Sequence, residues 1–344
     1  MRILIVGGTR RCGPHIVKEL LERGHSVVCY HRGQHNVSLS DGARHLQGDR
    51  RDYAAFEEQM AYVEADLVID MIAFDHKDVQ SIVRAFSKRI QRYICISTYH
   101  VYEAWEAAWK RIPTSQPVPI PEEAPQRQLL HPYGEEQRFE KLLVEREALK
   151  AQDRGDFPIT ILRWPALYGP GDTTPREWYY VRQALDGRKQ IAVPDGGQAL
   201  FPRGYLENMA HTVVLAVDHH TDSASVYNAA DVAALSLRQI VEMVGEILEH
   251  TWEIIPVPRQ FMPHGPKSQL LPYSCDPYDI EPHLLFDLTR IRTDLGYRDL
   301  VPITTAMENT VKWLVDHQPP AGWLPVSYPE HDEAIRKAQK LASC

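Results

Sequence analysis

No apolar run in the chain approaches the ~20 residues that a helix needs to cross a bilayer, so a helical membrane protein is not expected. The opening residues Met1-Arg-Ile-Leu-Ile-Val6 run straight into a glycine turn and read as a first strand rather than a signal peptide. Cysteine is scarce: five residues, Cys12, Cys29, Cys95, Cys275 and Cys344, far apart and with no C-x-x-C pair. That usage argues against a disulfide framework and for reduced thiols in a cytoplasmic protein. H-E-x-x-H and Cys/His clusters with zinc spacing are also missing, so no metal site is expected, and no G-x-S-x-G elbow offers a serine nucleophile. Positive charge is not in excess either. The 38 basic and 46 acidic residues leave a net charge of −8, and a surface that neutralises phosphate backbones is usually basic. The expectation is therefore no nucleic acid and no membrane among the partners.

Over the first half of the 344 residues, strand and helix signals alternate. Ile3–Val6, Ser26–Tyr30, Asp66–Met71, Arg92–Ser97 and Ile159–Arg163 are short apolar runs of strand length. Pro14–Arg23, Tyr53–Tyr62, Val79–Phe86 and Tyr133–Lys150 carry helical periodicity. Such alternation predicts an α/β fold, a doubly wound parallel Rossmann sheet. After Pro165 the rhythm loosens. Seven prolines fall between 256 and 282, a stretch that reads as a binding loop or a surface excursion. Helices are expected at Met209–Val217, Leu237–Leu248, Thr305–Asp316 and Glu330–Ala342. The expected organisation is a Rossmann domain over 1–165, with 203–240 returning to it, and a smaller substrate-binding region made of 166–202 and 241–344.

The most informative segment is the first strand with the turn after it. Gly7, Gly8 and Gly13 fill the turn between a strand and a helix, which lets the backbone approach a pyrophosphate held at the helix N-terminus. Thr9 and Arg10 lie in the same turn. At the end of the second strand, where a carboxylate would accept from a ribose diol, stand His31 and Arg32. An arginine there suits a 2′-phosphate through charge-assisted bonds, so the cofactor is read as NADP or NAD, with NADP favoured.

Several ordered motifs resemble the extended short-chain dehydrogenase/reductase family, its NAD-dependent epimerase/dehydratase group, over roughly residues 1–315. They are Gly7-Gly-Thr-Arg-Arg-Cys-Gly13, Gly48-Asp-Arg-Arg-Asp52, Ser97-Thr-Tyr-His-Val-Tyr102, Leu162-Arg-Trp-Pro-Ala-Leu-Tyr-Gly-Pro-Gly171, Arg203-Gly-Tyr-Leu-Glu-Asn-Met-Ala210, Val226-Tyr-Asn228 and Asp287–Tyr297. The resemblance implies hydride transfer between a nicotinamide cofactor and a carbinol or carbonyl carbon of a nucleotide sugar or related polyol, in a homodimer. It implies that Asp49, with Arg50 beside it, meets the adenine, and that Ala73, Phe74 and Pro165 lie near the nicotinamide. It also places the reactive hydroxyl at Thr98 and the tyrosine at Tyr133, and it puts Tyr99, Arg176, Trp178 and Arg203 on the substrate side, Arg203 as the leading phosphate contact.

Two departures stand out. Where the family carries a lysine one turn after the tyrosine, this chain has Gln137. An ammonium there would favour phenolate; glutamine has no charge to do so, and a tyrosine of pKa ~10 is ~0.1% phenolate at pH 7. On a continuous helix from Tyr133, Lys141 stands ~12 Å further along and ~80° round, a poor substitute. Second, the Asp-Glu pair that follows the threonine in the family's sugar dehydratases is here Tyr99 and His100. His100 thereby becomes a candidate acid/base group that titrates near neutrality. The alternative function is a cofactor-binding protein of the same fold with little or no turnover, a regulator or scaffold.

Overall fold

The structure, a computed structural model, describes residues 1–34, 41–110 (Trp109 by its backbone only), 112, 115–132, 134, 136, 138–219, 224–263, 283–320, 323 and 328–343. Tyr133, Gln137, Cys275, Cys344 and the proline-rich run from 264 onward to 282 lie outside the described residues.

In chain order the elements are β1 (Arg2–Val6), α1 (Gly13–Glu22), β2 (Ser26–His31), β3 (Arg44–Gln47), α2 (Tyr53–Met60), β4 (Leu67–Asp70), α3 (His76–Phe86), β5 (Arg92–Thr98), α4 (Glu103–Lys110), α5 (Lys141–Asp153), β6 (Ile159–Trp164), β7 (Ala166–Tyr168), α6 (Trp178–Leu185), β8 (Gln190–Pro194), β9 (Arg203–Tyr205), α7 (Leu206–Asp218), β10 (Ser225–Asn228), α8 (Leu237–Ile247), β11 (Glu253–Val257), α9 (Thr289–Leu295), α10 (Ile303–Asp316) and α11 (Tyr328–Ala342). Seven strands form one sheet in the order β10-β6-β5-β4-β1-β2-β3, every pair parallel. Chain order reverses between β1 and β4, which opens a crevice at the carboxyl ends of those strands. Two further pairs, β7 with β9 and β8 with β11, are also parallel.

The central strands β1, β4, β5 and β6 are buried on both faces, as continuous Ile/Val/Leu runs require in a parallel sheet. One face is covered by α1, α7 and α9 through Ile16, Leu20, Met209, Val213 and Ile291. The other is covered by α2, α3 and α5 through Phe56, Met60, Ile82, Phe86, Val144 and Ala148. A separate aromatic core gathers α6, α8 and α10 around Tyr179, Tyr180, Ile240 and Met307. Helix α11 closes the far side against β8 and β11 through Ala334, Ile335 and Ala338.

One expected helix is corrected. Helix α5 begins at Lys141, not at residue 133. Gly134 and Arg138 have positive φ, 92° and 45°, which a right-handed helix cannot contain. The residue that caps the helix is Glu140, whose carboxylate accepts from the Leu142 N–H at 3.0 Å and the His131 N–H at 2.5 Å and pairs with Arg127. The buried residues of the helix are Lys141, Leu142, Val144, Glu145, Ala148 and Ala151; of the apolar stripe that a helix from residue 133 predicts, Phe139, Leu142, Leu143 and Leu149, Leu142 is fully buried and the other three are half-buried.

Candidate functional site

A cavity of 530 Å³ follows the carboxyl ends of β1, β2, β3, β4, β5 and β6. Its wall brings together Gly7, Thr9, Arg10, His31, Arg32, Asp49, Arg50, Phe74, Thr98, Tyr99, His100, Pro165 and Arg176 from the residues singled out in the sequence. Gly8, Gly13 and Ala73 are not among its lining residues. Trp178 and Arg203 do not reach it.

The glycine turn has the shape a dinucleotide needs. Gly7 has φ +92°, and a Cβ there would stand 2.6 Å from Ile72 Cγ2. A Cβ on Gly13 would stand 2.3 Å from the Gly8 carbonyl oxygen, a backbone clash with no rotamer to relieve it. Helix α1 has no side-chain cap and no acidic residue in its first turn. Its positive end is thus left for an anion. The residues fit a pyrophosphate cradle. At the next strand the Gly33 N–H donates to His31 Nδ1 at 3.0 Å, so His31 Nε2 carries the proton toward His45 Nδ1 at 2.8 Å. Burial and the neighbouring His45 hold the His31 pKa below its ordinary value. Arg32 beside it is exposed at the cavity mouth. Arg50 serves chiefly as a brace: its buried guanidinium bonds Asp70 at 2.8 Å and the Asp78 carbonyl at 2.6 Å. Asp78 in turn accepts from the Phe74 N–H at 2.8 Å and fixes the loop that carries Phe74.

At the other end, β5 delivers Thr98, Tyr99 and His100. The Thr98 hydroxyl accepts from the His100 N–H at 3.5 Å. His100 lies between Tyr99, with ring centres 4.4 Å apart, and Trp105, at 4.5 Å. Burial first, then the charges of Arg176 and Arg127, push its pKa down to about 3. A histidine so surrounded is uncharged at pH 7, in contrast to the titration near neutrality expected from the sequence. Lys141 does not stand eight residues along a helix from Tyr133, and its place at the cavity is not legible from the helical periodicity. As the first residue of α5 it lines the cavity, donates to the Ile96 carbonyl at 2.6 Å and lies 4.9 Å from the centre of the Phe74 ring. Burial lowers its pKa from the usual lysine value. The signal that could have exposed it is Gly134, a residue unfavourable inside a helix.

Two substrate-side expectations fall in the core instead. Trp178 is buried in the aromatic cluster at the start of α6. Arg203 is buried, pairs with Glu177 and lies with its guanidinium 3.9 Å from the centre of the Tyr168 ring. Its charge is spent inside the protein, and it does not line the cavity as a phosphate contact. Among the described residues no group of His, Cys, Asp and Glu could hold a metal ion. No described helix is long and apolar enough to cross a membrane. Cys12, Cys29 and Cys95 are free thiols, all buried.

The model of the NAD dependent epimerase/dehydratase family matches residues 3–230. The chloroplast stem-loop binding protein of 41 kDa b of Arabidopsis thaliana is 26% identical over 241 residues, which cover 66% of this chain and 58% of that protein, less than two thirds of its length. The UDP-glucose 4-epimerase of Thermotoga maritima, solved with UDP-glucose, superposes with a TM-score of 0.68 at 16% identity, covering 93% of this chain and 100% of that one. The UDP-glucuronic acid 4-epimerase of Bacillus cereus, solved with NAD, gives 0.66 at 17% identity over 93% of this chain and 100% of that one. At these identities the likeness to the solved structures is one of fold.

Proposed function

The chain belongs to the NAD dependent epimerase/dehydratase family, and from that premise we propose that it is an NAD(P)-dependent oxidoreductase acting on a nucleotide sugar or related polyol, with atypical acid/base residues. One observation carries the reading: a single cavity joins the glycine turn after β1 to Thr98 at the end of β5. In this proposal Gly7, Gly8, Gly13 and the first turn of α1 hold the pyrophosphate. Asp49 takes the adenine end, His31 and Arg32 the adjoining ribose, and Phe74 and Pro165 flank the nicotinamide. Arg32 favours NADP, since it offers a guanidinium where a diol would need a carboxylate. The segments 166–202 and 241–344 form the substrate side.

A bound nicotinamide supplies a hydride acceptor or donor at a carbinol or carbonyl carbon. The chain's own part is to hold the reacting oxygen and steer its proton. Thr98 hydrogen-bonds that oxygen. The buried Lys141 ammonium, on the same cavity wall, favours negative charge developing there, a task Gln137 cannot perform. His100 is a neutral, stacked wall and not the proton carrier.

The test is a panel of nucleotide sugars with NAD and with NADP, followed by NMR of the sugar and by absorbance of the reduced cofactor. Conversion of at least one member supports the reading. Tight cofactor binding with no conversion of any member favours the alternative, a regulator or scaffold without turnover, for which the uncharged Gln137 speaks.

A further inference from the structure

The inner wall of the cavity carries several cations, and most of them have at least one partner within the protein, although buried N–H groups of Arg50 and Arg11 are also left without an acceptor. Arg50 has Asp70 at 2.8 Å, Arg138 the Tyr53 hydroxyl at 2.7 Å and Lys141 the Ile96 carbonyl at 2.6 Å. Arg11 has Asp172 at 2.7 Å. Arg176 differs. It lines the same wall, its Nη1 is buried, and its guanidinium donates no hydrogen bond to any described residue. The nearby carboxylate, Asp172, is itself buried and pairs with Arg11; it feels the Arg176 charge without accepting a hydrogen bond from it. A buried guanidinium N–H without an acceptor is costly, more so because the group is always charged. Sites that keep such a donor commonly meet its acceptor in a ligand.

The surroundings say where that acceptor sits. The charge of Arg176 is felt at Tyr99 and His100, the two residues that follow Thr98. Thr173 and Thr174 line the cavity just before it. Arg176 therefore faces the reacting end of the cavity, away from Asp49 and Arg32. The other groups there, Thr98, Tyr99 and an uncharged His100, bring no negative charge. Asp172 is the carboxylate that feels the Arg176 charge, and it makes no hydrogen bond to it; the planar guanidinium keeps N–H groups that match a ligand carboxylate, which accepts two parallel N–H bonds.

We propose that Arg176 is a specificity residue for a carboxylate on the sugar, so that the substrate class is a nucleotide uronic acid rather than a neutral nucleotide sugar. The proposal rests on the reading of the cavity as a nucleotide-sugar site. A site built around an ionic hydrogen bond discriminates strongly against a ligand that lacks the partner group.

The test is calorimetric binding to the full chain in the presence of NAD, with two matched pairs of probes: UDP-glucuronate against UDP-glucose, and free glucuronate against glucose. Each pair differs by a carboxylate in place of a hydroxymethyl group. Wild type should bind the uronate of a pair at least tenfold tighter. Arg176→Gln should lose that preference, weakening the uronate at least tenfold and the neutral sugar less than threefold, while Arg176→Lys should restore part of it. Equal weakening of UDP-glucuronate and UDP-glucose assigns Arg176 to the diphosphate and overturns the proposal. So does a wild type that prefers neither uronate, or an Arg176→Gln that keeps the preference. If free glucuronate is preferred over glucose but neither nucleotide sugar binds, the carboxylate site stands and the nucleotide-sugar reading fails.

Discussion

At the scale of single residues, Lys141 and Arg32 make opposite uses of charge. Lys141 is buried with a strand carbonyl and an aromatic face for company, so its proton is held less firmly than a surface lysine's. If its ammonium assists at the reacting oxygen, activity should fall on the alkaline side as that proton leaves, at a pH below the usual lysine range. Lys141→Met should lower kcat about 100-fold with little change in cofactor affinity, in line with the loss of one preorganised electrostatic group. Lys141→Arg, if active, should carry its alkaline limb to higher pH, because guanidinium keeps its proton. A pH–kcat profile of the two variants decides it; an unchanged profile removes Lys141 from the chemistry. Arg32, exposed at the cavity mouth, is argued to read the 2′-phosphate. Arg32→Asp should cut NADP affinity at least tenfold and leave NAD nearly untouched, measured by fluorescence titration. Unchanged NADP affinity would mean that Arg32 is only a solvated loop residue.

At the scale of elements, the start of α5 depends on one buried carboxylate. Glu140 caps the helix, pairs with Arg127 and accepts from the His131 N–H. Glu140→Ala leaves the Arg127 charge buried without its carboxylate, a loss of about 3–5 kcal/mol in a urea melt. A loss under ~1 kcal/mol would show that the loop re-pairs Arg127. A second buried carboxylate, Asp231 after β10, ties β9 to α7. It accepts from the Tyr205 N–H at 3.0 Å, the Asn208 side-chain amide at 2.9 Å and the Tyr168 hydroxyl at 2.8 Å. Burial outweighs these bonds and lifts its pKa to about 6. A carboxyl whose folded pKa is raised favours the fold while protonated, fully so below the unfolded pKa near 4, and that contribution disappears as pH rises through 6. Asp231→Asn should therefore gain on wild type between pH 4 and pH 8, by up to about 3 kcal/mol, in melts at three pH values. A gap that does not change with pH would place the folded pKa at its ordinary value. These two clusters also mark the limit of what the sequence discloses. The β1–turn–α1 unit is legible because an Ile/Val run, glycines and an amphipathic stripe are all local signals. The caps that set α5, the burial of Arg203 against Glu177 and the loss of His100's titration are not. Each depends on a partner brought in by the fold: Arg127 and the His131 amide for Glu140, α6 for Arg203, and Trp105 with Arg176 for His100.

At the scale of the whole molecule, the cavity touches the ends of six strands of one sheet. A ligand there bridges the turn after β1, the end of β2 and the residues that follow β5 and β6, none of which neighbour one another in sequence. Such a ligand binds the folded chain and has no comparable site on the unfolded one, so saturation at 100 times Kd should stabilise the fold by about 2.7 kcal/mol. For a chain of this size that is an upward shift in Tm of a few degrees. Gly13 is where this linkage should break, since any side chain there meets the Gly8 carbonyl and forces the turn apart. Gly13→Ala should lower the Tm of the ligand-free protein modestly and abolish the further rise on adding NAD or NADP. The difference between the melts with and without cofactor is the informative quantity, because it cancels the variant's own cost. A Gly13→Ala protein that kept the full cofactor-induced shift would mean that the anchoring contacts lie elsewhere along the cavity, with the bend after β1 serving only to join strand to helix.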